Sequence, residues 1–106
     1  MKVALDTEIT TLDGTVVKMP QDKSMTVGLA CIEALLGTYK DEESLSGKDK
    51  YARYGLVRRI SKGGAQSFNS EDIVTLKALA AKAWGPLVMG QVWDALEGNE
   101  AATSPD

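Results

Sequence analysis

Helix start and stop signals divide the chain after residue 25 into four short segments with helical periodicity, which limits the folds open to it. Ser46 and Asn69 are N-cap residue types, and each precedes a segment with apolar residues at helical spacing. Gly63-Gly64 can end a helix because glycine adopts the left-handed conformation of a helix stop. Gly85-Pro86 separates the last two segments, since proline suits the first position of a new helix. We predict helices over about residues 26–38, 47–62, 70–84 and 86–97.

The N-terminal residues have the periodicity of a β-strand instead. Apolar and polar side chains alternate from Val3 to Ile9, as in a strand with one buried face. Asp13-Gly14 is a strong hairpin signal, and residues 15–19 read as the returning strand. Pro20 ends that strand because proline cannot donate to a β-ladder. The sequence therefore predicts a β-hairpin over residues 2–19.

Together these elements predict an α+β fold, with an N-terminal β-hairpin packed on a compact bundle of about four helices. A chain of 106 residues is the usual size of one domain, and we assign residues 1–98 to it. Residues 99–106 are small, polar and proline-bearing, which is typical of a disordered tail. The first helix is apolar over most of its circumference, so we expect it to be the central helix, with Cys31 as a small core residue.

Several local patterns give expectations for the other helices. Ser46-Gly47-Lys48-Asp49 fits a capping box that opens the second helix. Asn69 is a good N-cap for the third helix, with Asp72 at the third helical position. Trp84 and Trp93 fall on the apolar stripes of their helices and are predicted core residues. Gly90 weakens a helix by about 1 kcal/mol relative to alanine, so we expect another backbone to pack closely against it.

The residue supply argues against an enzyme, a metal site and a cofactor. The chain has no histidine, which removes the commonest general base and metal ligand. Its single cysteine excludes a zinc ribbon and an internal disulfide, which fits a reducing compartment. No apolar stretch is long enough for a signal peptide or a membrane span. We therefore expect a non-enzymatic cytoplasmic protein that uses no cofactor.

Charge is sorted along the chain, with a basic segment between two acidic ones. Residues 44–70 hold six Lys/Arg against one Asp/Glu, whereas residues 1–43 and 71–106 each have a net charge of −4. A helical wheel gathers cations and a tyrosine on one side of the second helix, which we call the cationic strip. Its members, the candidate partner-binding residues, are Lys48, Tyr51, Arg58, Arg59 and Lys62.

The cationic strip has a functional and a structural interpretation. Arginine binds carboxylates and phosphates, and tyrosine supplies rigid contact area, so the strip is a candidate binding face. It is equally explained as a solvated helix face, neutralised by the acidic loop at residues 41–43. A partner with an acidic protein surface is favoured over nucleic acid, because a chain with a net charge of −3 repels a polyanion outside the strip.

Several short motifs give the chain a resemblance to a family of small uncharacterised proteins encoded by tailed bacteriophages and prophages. The likeness covers about residues 3–97, and its motifs are turns, caps and core positions. The matching stretches are Leu12-Asp13-Gly14, Thr26-Val27-Gly28-Leu29, Leu45-Ser46-Gly47-x-x-Lys50-Tyr51-x-Arg53-Tyr54, Ser70-Glu71-Asp72-Ile73 and Pro86-Leu87-Val88-x-Gly90-Gln91-Val92-Trp93. The resemblance implies expression inside an infected or lysogenic bacterium and a role in binding, and it carries no catalytic residue.

Three functional hypotheses follow from these observations. The leading one is a phage or prophage accessory protein that acts by protein–protein binding. The second is a morphogenesis component, such as a tail-assembly or head-associated protein. A weaker third hypothesis is a nucleic-acid-binding module that uses the cationic strip.

Overall fold

The computed structural model describes residues 2–37, 39–40 and 45–97. The α+β fold class is confirmed, since an N-terminal antiparallel hairpin packs against four helices. Each helix begins and ends within two residues of its predicted bounds. The predicted tail at residues 99–106 and the acidic loop at residues 41–43 lie outside the described residues. In chain order the elements are β1 (Lys2–Ala4), β2 (Lys18–Met19), β3 (Lys23–Ser24), α1 (Val27–Leu36), α2 (Gly47–Ile60), β4 (Ala65–Ser67), α3 (Ser70–Ala83) and α4 (Pro86–Leu96).

Helix α1 lies at the centre of the bundle and contacts α2, α3 and α4, as predicted from its apolar circumference. Val27, Ala30, Cys31 and Ala34 are buried along it. Burial raises the pKa of the Cys31 thiol to about 12. The thiol therefore stays protonated near neutral pH and packs as a small apolar group.

Strand β1 pairs antiparallel with β4, which corrects the predicted pairing with residues 15–19. The chain turns immediately after β1, where the Leu5 N–H donates to the Gly64 carbonyl oxygen at 3.0 Å. The Asp6 carboxylate accepts from the Gly64 N–H at 3.1 Å. These contacts hold the end of β1 beside the turn that follows α2. Alternating polarity identifies a strand and its buried face, but it carries no information about the partner strand.

The predicted chain reversal at Asp13-Gly14 is present but short. The Thr11 N–H donates to the Thr15 carbonyl oxygen at 2.8 Å, which closes the turn. The hairpin with regular strands is instead β2–β3, joined by the tight turn Pro20–Asp22. Pro20 ends β2, as expected, and a second reversal follows it directly. Strands β1 and β2 both lie within the predicted hairpin of residues 2–19, but each pairs with a strand outside it. Residues 9–11 and 15–17 pair across the Asp13-Gly14 turn, and the fold class is unchanged.

Side-chain caps begin α2 and α3 at the predicted residues. The Ser46 hydroxyl oxygen accepts from the Asp49 N–H at 3.1 Å. The Asn69 amide oxygen accepts from the Asp72 N–H at 2.7 Å, and the Asp72 carboxylate accepts from the Asn69 N–H at 3.3 Å. This reciprocal pair is a capping box. The sequence predicts the box at Ser46–Asp49 instead, where the structure describes the Ser46 half of the motif. Helix α2 ends before Gly63, whose φ of +74° is the left-handed conformation that glycine adopts without strain.

Replacing Asn69 with alanine is expected to lower the free energy of unfolding by about 1 kcal/mol, because the Asp72 N–H loses its acceptor. Urea denaturation followed by circular dichroism measures the loss. Asn69→Asp, which keeps an acceptor oxygen, should stay near wild type. A loss no larger than that of Ser70→Ala, at the exposed first helical position, would contradict the capping role.

Both tryptophans line the core, as predicted. The Trp84 indole N–H donates to the Ala30 carbonyl oxygen at 3.0 Å, which ties the end of α3 to α1. The Trp93 indole N–H donates to the Lys77 carbonyl oxygen at 3.1 Å, which ties α4 to α3. Each ring thus packs on the core with its polar atom satisfied, the arrangement expected of a structural tryptophan.

The prediction that a backbone packs closely on Gly90 is wrong. Apart from the two neighbouring residues and the backbone of α4, no atom of the described residues lies within 4 Å of the position that a Cβ at Gly90 would take. The close approach lies in α1 at Gly28, where an added Cβ would stand 3.2 Å from the Leu5 carbonyl oxygen and 3.4 Å from Ile60. Gly28 therefore allows the segment after β1 to lie directly on α1.

Candidate functional site

Helix α2 has a buried side and an exposed side, divided as the helical wheel predicts. Leu56 and Ile60 are buried against the bundle. The exposed side, with the turn that follows α2, carries three cations and two aromatic rings. We call it the basic face, and its residues are Lys48, Tyr51, Tyr54, Arg58 and Lys62.

Two tyrosine rings and a guanidinium group lie close together on the basic face. Tyr51 and Tyr54 are 73% and 52% exposed, and their ring centroids lie 6.2 Å apart. The Arg58 guanidinium lies 5.8 Å from the Tyr54 ring centroid, within the range of a cation–π contact. Arg58 is thereby positioned by its own helix, with its hydrogen-bond donors available to a partner. The structure thus brings three of these side chains into one continuous surface.

Arg59 has a different role from the one the cationic strip implied. Its guanidinium donates to the Asp72 carboxylate at 3.2 Å and to the Ser67 carbonyl oxygen. It also lies 4.7 Å from the Phe68 ring centroid. Arg59 therefore ties α2 to β4 and α3. Its side chain is 43% exposed to solvent. Arg59 thus has a structural ion pair, and its place among the partner-binding residues stays a prediction.

The charges of Arg58 and Lys62 are not neutralised within the described part of the chain. Neither forms an ion pair with a carboxylate of residues 2–37, 39–40 and 45–97. Arg58 lies in the last turn of α2, where the helix dipole favours a cation, so part of its placement is explained structurally. Lys48 lies in the first turn, about 15 Å of axial rise from Arg58, and forms a separate end of the face.

A depression of about 190 Å³ opens on the basic face beside Gly55. It is lined by Gly55, Arg58, Arg59 and Lys62. A Cβ atom at Gly55 would meet nothing within 4 Å, so the glycine leaves this side of the helix open. The sequence analysis assigned no role to Gly55. The available signal was a glycine inside a helix with cations three, four and seven residues later.

The described part of the chain has larger clefts as well. One of about 250 Å³ between α2 and α3 carries charges of both signs, from Asp49, Arg53, Glu71 and Asp72. A second of about 320 Å³ is mostly apolar, and its Asp6 carboxylate is bound by the Gly64 N–H. Another of about 310 Å³, between the N-terminal segment and α4, carries the carboxylates of Glu8 and Asp94. Within residues 2–37, 39–40 and 45–97 no group of three metal-ligating side chains is placed to hold an ion. The basic face therefore remains the best candidate for a functional site.

Two further findings concern membrane-spanning helices and similarity to known proteins. Among its described residues, no helix combines the length and apolar character needed to cross a membrane. Comparisons with protein-family models, with curated proteins and with solved structures found no match to this chain.

Proposed function

We propose that this chain is a non-enzymatic phage or prophage accessory protein that binds an acidic surface of a partner protein through the basic face. The observation that carries the proposal is the stacking of Arg58 on Tyr54, beside Lys62, with no described carboxylate to neutralise either cation. A surface with exposed tyrosines and an oriented arginine has the composition of an interface hot spot. The phage context rests on the sequence motifs described above, and the bacterial cytoplasm is the proposed location.

An acidic protein is the better partner than nucleic acid because the cationic surface is small. Among the described residues, Arg58 and Lys62 are the cations at the depression that form no ion pair with a carboxylate. The chain as a whole has a net charge of −3. A nucleic acid would extend beyond the face and meet repulsion from the acidic segments. A protein can instead present a few carboxylates locally and cover the tyrosines with apolar contacts.

Affinity capture tests the proposal. The full chain is tagged and used as bait in bacterial lysates prepared with and without phage infection, and retained proteins are identified by mass spectrometry. We expect one acidic protein to be retained at low salt and released as salt rises, because screening weakens charge pairing. Recovery that is independent of salt and of Arg58 and Lys62 would contradict binding through the basic face.

The morphogenesis hypothesis makes a different prediction. A tail-assembly or head-associated protein should be present in purified virions, detected by mass spectrometry, or should self-associate in light scattering. Either result, without capture of an acidic partner, would replace the accessory role with a morphogenetic one.

A further inference from the structure

Gly55 is a glycine that the fold does not require. It lies inside α2, where glycine is less favourable than alanine. No atom beyond its own helix backbone lies within 4 Å of the position of an added Cβ. This contrasts with Gly28, whose missing side chain admits Leu5 and Ile60. Packing within the described part of the chain therefore does not explain Gly55.

The depression at Gly55 is basic, and we call it the notch. Gly55, which has no side chain, forms its floor. Arg58, Arg59 and Lys62 line the notch, three, four and seven residues along the chain. The Arg59 side chain is held in place, because its guanidinium donates to the Asp72 carboxylate and to the Ser67 carbonyl oxygen. Arg58 is oriented by the Tyr54 ring. Two of the three cations that border the notch, Arg58 and Arg59, are thus held in place before any partner binds, which lowers the entropy lost on binding.

We propose that the Gly55 notch seats a carboxylate side chain from an acidic segment of the partner protein. The absence of a Cβ lets the carboxylate descend between Arg58 and Lys62, where both cations can donate to its oxygens. A methyl group at residue 55 would occupy the floor and hold the carboxylate away from both donors. This inference rests on the proposed function and adds to it the chemistry of the group recognised and the residue that admits it.

The test uses Gly55→Ala with Gly90→Ala as its matched control. Both glycines lie inside helices with open space at the Cβ position, and Gly90 is on α4, away from the basic face. Each variant should fold and raise the Tm by about 4 °C, because alanine favours the helix. Only Gly55→Ala should bind more weakly, so its effect on binding is separated from any loss of stability.

The probe is a blocked octapeptide of aspartate and glutamate, titrated into the ¹⁵N-labelled full chain at low salt. We expect the amide signals of Gly55, Arg58 and Lys62 to shift, and the affinity of Gly55→Ala to be about tenfold lower, equivalent to one lost charge-assisted hydrogen bond. Gly90→Ala should bind as wild type does. The matching asparagine and glutamine peptide should cause no shift.

The contrary outcomes separate three claims, which concern the notch, the basic face and the occupant. If the peptide binds Gly55→Ala as tightly as wild type, while Arg58→Glu with Lys62→Glu loses it, the notch is wrong and the proposed function stands. If neither variant changes binding, or the peptide shifts none of these amides, the basic face itself is wrong. A single-stranded oligonucleotide that shifts the Gly55 amide at lower concentration than the peptide would overturn the acidic protein segment as occupant.

Discussion

The double substitution Arg58→Glu with Lys62→Glu is expected to weaken capture of the partner by about a hundredfold, which corresponds to two lost charge-assisted contacts. Both side chains border the notch, and neither has a described carboxylate to pair with. Reversing their charge replaces attraction to an acidic surface with repulsion. Quantitative mass spectrometry of the eluted partner, at equal bait loading, measures the loss.

Charge reversal elsewhere on the chain supplies the control. Lys18→Glu with Lys23→Glu changes the net charge by the same amount on the β2–β3 hairpin, where both lysines are exposed. That variant should retain the partner. Arg59 is left unchanged in both variants, because its substitution would break the ion pair with Asp72 and mix a stability effect with a binding effect. Equal capture by the two variants would rule out a specific role for Arg58 and Lys62.

Leu5→Ala is expected to lower the free energy of unfolding by about 2–5 kcal/mol, a large fraction of the stability of a small domain. Leu5 is 1% exposed, and its Cβ lies against the open side of Gly28 in α1. Removing its side chain leaves a cavity between the segment after β1, α1 and Ile60. Urea denaturation followed by tryptophan fluorescence measures the change.

Leu12 offers a matched leucine in the same N-terminal segment. It lies at the tip of the turn and is 95% exposed, so Leu12→Ala should change the free energy of unfolding by less than about 0.5 kcal/mol. Similar losses from the two substitutions would show that the segment after β1 is not docked on α1 as described.

The helices were predictable because their signals are local. Ser46 and Asn69 each accept from a backbone N–H within one helical turn, and Pro86 at the first helical position has no N–H that needs an acceptor. Their roles therefore follow from the residues beside them. The exposed side of α2 was predictable for the same reason, since 3.6-residue periodicity fixes which side chains share a face. Lys48, Tyr51, Arg58 and Lys62 are accordingly exposed.

The features that escaped prediction depend on residues distant in the chain. The partner of β1 is set by contacts such as that between Asp6 and Gly64, 58 residues apart. The structural use of Arg59 depends on Asp72, thirteen residues later on another helix. The two glycines, Gly28 and Gly90, have the same helical context, and only the tertiary structure shows which one is approached by a neighbour.

The most direct measurement of the central claim is the location of the partner on the surface of the chain. The ¹⁵N-labelled full chain is mixed with the purified captured partner, and amide shifts are followed by NMR. We predict that the largest shifts or broadening fall on Tyr51, Tyr54, Arg58 and Lys62, with little change at Leu12 or along α4. Shifts confined to α4 or the N-terminal turn, with α2 unperturbed, would contradict recognition through the basic face.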